Sequence, residues 1–466
     1  MPVDLRRCSR LFVLVLLGGL AAGAGAQPAA DRGESAACPW ELMHAPNPGG
    51  SLILFGADAT ARDNMWAVGT RTVFEPGDTP RYNYAARWDG DSWVVTEPVQ
   101  PSTLRDSQNL AGVLAMSPSD AIIVGTYNPP AGSSQSQSQR WNGSNWTLLN
   151  SPSYSGGTTF RSIGRAGDDI WAGGSKYSEL PPPAASTFPM AARLNGNSWE
   201  VEFVPPLADT GGRSYNFIRA IGGATEDDVW GAGIAQEIAG DDPFGPAAMM
   251  VHWDGSSWSQ YDLFPILSST AFSSVEGLLV FSSDNVWAAG FDYDLPNQRT
   301  LPLVLHWDGS SWSNVPIPDI GMTAELRAIH GRSPDDIYAV GTKAHSDGQP
   351  HGLMLHYDGV GWTEVAVDSI GDHNQWYRAI TLAGDEMWAM GQSNSFLSDG
   401  FAQRQQPCDD ACLPDLTNDN ELTFADVLEF LNLFTAGDMT ADFAPDGVLN
   451  FFDVAAFLEA FGDGCP

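Results

Sequence analysis

The most regularly spaced oxygen donors in the chain lie near its C-terminal end. Asp415, Thr417, Asp419, Thr423 and Asp426 hold positions 1, 3, 5, 9 and 12 of a twelve-residue segment. Glu421 at position 7 offers its carbonyl, and Asn420 at position 6 forms the turn. Calcium takes six or more hard oxygens, and a tightly curled loop supplies them at this spacing. A second segment starts 27 residues later and offers Asp442, Asp446, the carbonyl of Val448, Asn450 and Asp453, with Gly447 at the turn. Its position 3 is Ala444, which has no oxygen to give. Two Ca2+ sites are expected, the second the weaker.

Other chemistry-bearing residues recur with a longer period. Arg161, Arg219, Arg327 and Arg378 each open a short apolar run. They would either ring an anion-binding mouth or bond carboxylates and carbonyls in neighbouring units, and the repeat-encoded bonding is favoured. His252, His306 and His356 share one repeat phase with Arg87, Arg140 and Arg193. Exchange between His and Arg argues against metal ligation there. His330, His345, His351 and His373 lack close carboxylate or cysteine spacing. Acidic pairs such as Asp168-Asp169, Asp227-Asp228 and Asp335-Asp336 recur too regularly for glycosidase carboxylates and read as turn formers. No unrepeated acid–base cluster stands out, so the reading leans away from an enzyme.

The elements that must position these residues are written in two repeated phrases. His252–Trp258 and His306–Trp312 both read His-Trp-Asp-Gly-Ser-Ser-Trp, with looser copies at Arg87–Trp93, Arg140–Trp146, Arg193–Trp199 and His356–Trp362. An Asp-Asp-x-Trp-Ala-x-Gly phrase ends at Gly69, Gly125, Gly174, Gly233, Gly290, Gly341 and Gly391, at intervals of 49 to 59 residues. Each unit parses into four short strands rich in β-branched and aromatic residues, with an Asp-Gly hairpin signal between the last two. Four strands per such period indicate a β-propeller blade rather than a helical solenoid. The first phrase has six copies and the second seven, so the last unit lacks its outer strand. Cys38–Met43, which includes Trp40, resembles that strand. The fold class expected is an all-β seven-bladed propeller closed by the N-terminal strand, plus a small α-helical module. Sixteen of the 17 tryptophans fall at repeat positions and are expected in the core. Trp376 falls outside them, beside Tyr377.

Met1–Ala26 reads as a secretory signal: Arg6, Arg7 and Arg10, then the apolar run from Leu11, then Ala24-Gly25-Ala26. Residues 27–37 form a linker, 38–408 the propeller and 409–466 the C-terminal module. The formal charge of −35 argues against nucleic acid or an anionic membrane as partner. No membrane span is expected after cleavage of the signal, and the chain is expected to be secreted or cell-surface associated. Without Cys8 four cysteines remain, and three pairings are open. Ring closure brings Cys38 and Cys408 to the two sides of one cut hairpin and favours that pair.

The units resemble kelch-like and galactose-oxidase-like propellers, and the Trp-Asp-Gly turn resembles the Asp-box of sialidase propellers. The C-terminal module, with duplicated EF-hand-like loops, two amphipathic helices and a closing Gly464-Cys465, resembles the Gly-Cys type of dockerin found in planctomycete-type bacteria. That resemblance implies calcium-dependent attachment to a cohesin-like protein, and a Cys412–Cys465 clasp. Phe424, Phe451 and Phe452 depart from the Ser/Thr common in cellulosomal dockerins. They either pack between the helices, the favoured reading, or meet a partner. Tyr82, Tyr127, Tyr177, Tyr215, Trp376 and Tyr377 lie on variable loops or connections and are candidates for a polysaccharide- or protein-contact face. The expected function is a secreted, non-catalytic binding or scaffold protein. The alternative is a propeller glycoside hydrolase or lyase docked to a complex and acting on extracellular polysaccharide.

Overall fold

The structure is a computed structural model. It describes residues 40–76, 78–102, 108–177, 187–205, 213–238, 247–267, 272–294, 296–345, 348–367, 374–394, 398–405, 414, 416–417, 422–441, 443 and 448–463. The signal-like segment, the linker, the cysteines and Asp415, Asp419, Glu421, Asp442 and Asp446 lie outside these.

The described chain is a β-propeller-like all-β assembly of antiparallel four-stranded sheets, followed by two α-helices. The first sheet takes Ser51–Ala61, Asn64–Thr72, Arg81–Trp88 and Trp93–Thr96 in chain order, and the same order recurs in those that follow. Two successive sets of four strands merge into one eight-stranded sheet through a parallel pairing at Ala166 and Gly223. In the last sheet, Trp40–His44 pairs antiparallel with Ser398–Gln405, Trp40 opposite Gln405. The inner strands are Ser51–Ala61, Gln108–Ser117, Thr158–Ala166, Arg213–Thr225, Ser274–Ser282, Ala324–Ser333 and Asn374–Ala383. Each lies beside the next, and Asn374–Ala383 lies beside Ser51–Ala61.

The repeated aromatics pack sheet to sheet. Trp66 meets Trp146 of the following sheet at a ring-centroid distance of 5.2 Å, Trp230 meets Trp312 at 5.2 Å, and Trp388 meets Trp93 at 6.0 Å. Trp40 occupies the same role against Tyr338 at 5.8 Å. The His/Arg position lies over these rings: His252 sits 4.3 Å from Trp230 and bonds Asp228 at 2.6 Å, while Arg193 lies 6.0 Å from the Trp171 ring centroid and bonds Asp169 at 3.3 Å. His306 bonds Asn285 and His356 bonds Asp336 in the same way. Imidazole and guanidinium each fit one slot between an aromatic face and a strand-start carboxylate or amide, which explains their exchange.

Every inner strand carries a β-bulge at one register position. The pairing slips between Leu54 and Gly56, Leu110 and Gly112, Phe160 and Ser162, Ile218 and Ala220, Val275 and Gly277, Leu326 and Ala328, and Tyr377 and Ala379. Opposite each slip stands the closing glycine of the Asp-Asp-x-Trp phrase. A Cβ on Gly233 would run into the carbonyl oxygen of Phe217, and one on Gly290 into that of Ser274. The other closing glycines are crowded in the same way. The phrase ends in glycine because the bulged strand comes too close for any side chain.

In the C-terminal module, α1 (Phe424–Ala436) and α2 (Phe451–Asp463) pack through equivalent residues of the duplication: Phe430 and Phe457 stack at 4.1 Å and 7°. Thr423 caps α1 with a capping box closed by Asp426. Phe424, Phe451 and Phe452 are 76%, 70% and 68% exposed, so the expectation that they pack between the helices is corrected. They stand in the first turn of each helix, on the side away from Phe430 and Phe457. No described helix is long and apolar enough to cross a membrane.

Gly233→Ala is expected to cost about 1–3 kcal/mol in urea unfolding, because the inner strand must move. Gly361→Ala, with nothing within 4 Å of the added Cβ, is expected to stay within about 0.5 kcal/mol. Equal losses would contradict the bulge argument. The hairpin turns titrate at low pH. Ser256, by its hydroxyl and amide, and the Ser257 amide hold the Asp254 carboxyl down to about 2, and Ser310 and Ser311 do the same for Asp308. A depressed pKa stabilises the fold above the ordinary carboxylate value, and the contribution is lost as pH falls through about 2. Asn142 already makes the same turn without a titrating group. Asp254→Asn with Asp308→Asn should therefore lower the acid midpoint of the tryptophan fluorescence; a raised or unchanged midpoint would contradict this.

Candidate functional site

The bulges decide what faces the channel between the inner strands. The bulged residues are Phe55, Ala111, Arg161, Arg219, Glu276, Arg327 and Arg378. The residue before each (Leu54, Leu110, Phe160, Ile218, Val275, Leu326, Tyr377) is fully buried. An extra residue in the strand turns one side chain out of the sheet interface and into the channel. All seven bulged residues line one cavity of about 420 Å³, together with Asn109, Thr126, Ser134, Thr159 and Tyr177.

The four arginines are not equivalent. Arg219 Nη1 and Arg327 Nη1 both reach Glu276 Oε2, at 3.0 and 3.2 Å. Ser274 donates its hydroxyl to the other oxygen, Oε1, at 2.6 Å. Arg327 also donates from Nε and Nη2 to Glu325 Oε1, at 3.0 and 2.6 Å. Burial works against the Arg327 charge, but the Glu276 and Glu325 carboxylates outweigh it and raise its pKa above the ordinary value. For these two residues the expected bonding to carboxylates holds.

Arg161 and Arg378 have no carboxylate partner among the described residues. Arg161 lies 5.0 Å from the ring centroid of Phe217, and Arg378 lies 5.4 Å from that of Phe55 and donates to Gln392 at 3.3 Å. Arg161 is exposed to the channel, yet protein surrounds it. Lost hydration first, and Arg219 second, push its pKa down; burial and then Arg327 do the same to Arg378. A chain of formal charge −35 thus keeps a positive pocket at its centre. The chemistry of the lining suits an anion, because a guanidinium deprived of water gains most from a charge-assisted bond.

Glu276 and Phe55 were not singled out in the sequence. The signal is there: each bulged residue stands 13 or 14 positions before its closing glycine, and Glu276 keeps that spacing while breaking the arginine pattern. Of the aromatic candidates, Tyr177 lines the cavity. Trp376 is half-buried, in an inner strand rather than a connection, two residues before the Arg378 bulge. Tyr377 is corrected: it is fully buried in the core and its hydroxyl donates to Gln403. Tyr82 and Tyr127 are half-buried and do not line the cavity, and the Tyr215 side chain lies outside the described set.

In the C-terminal module the described ligand candidates converge. The amide and hydroxyl of Thr417 donate to Asp426 Oδ1 at 3.0 and 2.8 Å, and the Thr423 amide donates to Asp426 Oδ2 at 2.8 Å. In the second loop the Asn450 amide donates to Asp453 Oδ2 at 2.6 Å, and the Asn450 side chain donates to the Val448 carbonyl at 2.8 Å. Both aspartates are fully buried. In the first loop positions 3, 9 and 12 meet, and in the second positions 7, 9 and 12; positions 1 and 5 of both lie outside the described residues.

One solved structure shares the fold at a TM-score of 0.50, and others align less closely. The polysaccharide lyase Uly1 aligns with a TM-score of 0.50 at 10% identity, over 79% of this chain and 92% of its own. A PL25 ulvan lyase aligns at 0.46 and 12% identity, over 78% and 95%. A Trypanosoma rangeli sialidase aligns at 0.42 and 9% identity, over 67% and 55%. No protein-family model matches the chain, and none of the curated proteins does. Uly1 bears the name of a polysaccharide lyase, so the expected non-catalytic binding or scaffold role is corrected toward the alternative, a propeller enzyme, which is argued below as a proposal.

Proposed function

We propose that this chain is an extracellular propeller enzyme that cleaves an acidic polysaccharide. The observation that carries the reading is the cationic cavity of about 420 Å³, built from one register position of successive inner strands in a strongly acidic chain. That volume falls in the range of pre-formed ligand sites. In this reading the ring is kelch-like, seven-bladed, closed by Trp40–His44 and stapled by Cys38–Cys408.

Elimination suits the cavity better than hydrolysis. Hydrolysis on two carboxylates needs one of them protonated as the acid. Glu276 and Glu325 are both taken up as acceptors by the Arg327 guanidinium, which leaves no pair of free carboxyls among the described lining residues to flank a glycosidic bond. In elimination an arginine neutralises the uronate carboxylate, which acidifies the neighbouring C–H. A base takes that proton, its electron pair forms the C=C bond, and the glycosidic C–O bond breaks as the leaving oxygen is protonated. Tyr177, the phenol on the cavity wall, is assigned the proton transfer.

The C-terminal module attaches the enzyme to a cohesin-like partner. Asp415, Thr417, Asp419, the Glu421 carbonyl, Thr423 and Asp426 would hold one Ca2+, and Asp442, Asp446, the Val448 carbonyl, Asn450 and Asp453 the other. Ca2+ held there would order the two loops. The exposed Phe424, Phe451 and Phe452 belong to this attachment rather than to the cavity.

Incubating the protein with uronate-containing and neutral polysaccharides tests the reading. Unsaturated ends, followed by ultraviolet absorbance, are expected from uronate polymers alone. Tyr177→Phe should slow their release about 100-fold or more. Saturated reducing ends would assign hydrolysis instead, and no release from any acidic polymer would refute the enzyme.

A further inference from the structure

Within the cavity the charges form a pattern around the ring. In strand order the bulged residues run Phe55, Ala111, Arg161, Arg219, Glu276, Arg327, Arg378 and back to Phe55. Glu276 stands between Arg219 and Arg327 and bonds both through one oxygen. Arg161 and Arg378 flank the uncharged arc of Phe55 and Ala111 on the opposite side. Glu325 takes two further donors of Arg327. The two positive charges in excess therefore fall on Arg161 and Arg378.

We infer that Glu276 is a specificity-determining positioning residue: it commits Arg219 and Arg327 to the wall and leaves Arg161 and Arg378 to receive the substrate's anionic group. This rests on the reading of the cavity as an acidic-sugar site and deepens it. A ring of uncommitted arginines would hold any small polyanion at any angle. With two of them held by a carboxylate, an incoming carboxylate meets free guanidinium donors at the edges of the Phe55–Ala111 arc and a negative group opposite. Phe55 gives the apolar wall on which a sugar face can lie, with Arg378 already over its ring. A second anionic group reaching the far wall would meet Glu276. The cavity thus favours a sugar with its charge on one side, such as a uronate, over a compact anion charged on every side, such as sulfate.

Glu276 is held by Ser274 as well as by the two arginines, so its side chain has one place to be. Gln keeps the shape and can still accept from Ser274, while it removes the charge that holds Arg219. Arg327 keeps Glu325 in that variant and Arg219 becomes free.

Calorimetric titration of the full chain with glucuronate and with inorganic sulfate tests this without relying on turnover. Glu276→Gln is expected to bind sulfate about tenfold more tightly and to lose preference for glucuronate, while Glu276→Asp retains the wild-type order. Arg161→Gln should weaken glucuronate binding about tenfold in the wild-type chain. In the Glu276→Gln chain it should weaken it less, because the freed Arg219 substitutes. Unchanged sulfate binding in Glu276→Gln, with an unchanged thermal midpoint to show that it is folded, would overturn the inference. So would an equal cost of Arg161→Gln in both chains. Failure to cleave any polysaccharide would refute the enzymatic reading alone, since these titrations read binding.

Discussion

A glycine facing a bulge is the constraint on which the rest of this structure depends. In each inner strand one extra residue breaks the two-residue alternation and bends the backbone toward its partner. The partner tolerates that approach because the residue there has no side chain, as at Gly233 against Phe217 and Gly290 against Ser274. The residue before the bulge then faces the core, as Ile218 and Val275 do, and the bulged residue faces the channel. One local irregularity, repeated, supplies both the packing between sheets and the lining of the cavity.

Repetition builds the frame, and departures from it carry the chemistry. The tryptophan pairs and the His/Arg slots over them, such as His252 on Trp230 beside Asp228, serve the frame. The bulged position varies because its side chain faces the channel instead of filling the core. Substitution there costs the fold little and changes the cavity directly. Arg161, Arg219, Arg327 and Arg378 make the cavity cationic, Glu276 divides them, and Phe55 and Ala111 leave one side uncharged. In a chain of formal charge −35, the arginines in the channel still outnumber the carboxylates there.

Much of the frame was legible in the sequence because its determinants are local phrases. The mismatch between copies of the two phrases pointed to Trp40, which packs on Tyr338 where an outer-strand tryptophan belongs. The cavity was half legible. The four arginines share a phase and were found, but Glu276 was missed because a search for recurrence passes over the residue that breaks it. Tyr377 was misplaced for another reason. A bulge shifts the inward–outward alternation by one, so Tyr377 goes into the core while Arg378 turns to the channel, and no period-two pattern reveals the slip. In the C-terminal module the apolar residues at helix starts, Phe424 and Phe451, looked like core. The helices instead meet six residues further on in each case, at Phe430 and Phe457.

The claim that the bulge aims one residue per strand into a shared cavity is most directly tested by thiol labelling at neighbouring positions. Ala111→Cys and Leu110→Cys differ by one residue along a single inner strand. With a small charged thiol reagent, and the unsubstituted chain as the blank, Ala111→Cys is expected to label rapidly and to be protected by an acidic oligosaccharide. Leu110→Cys is expected to stay unlabelled in the folded chain. Equal labelling at the two positions, or faster labelling at Leu110→Cys, would contradict the account.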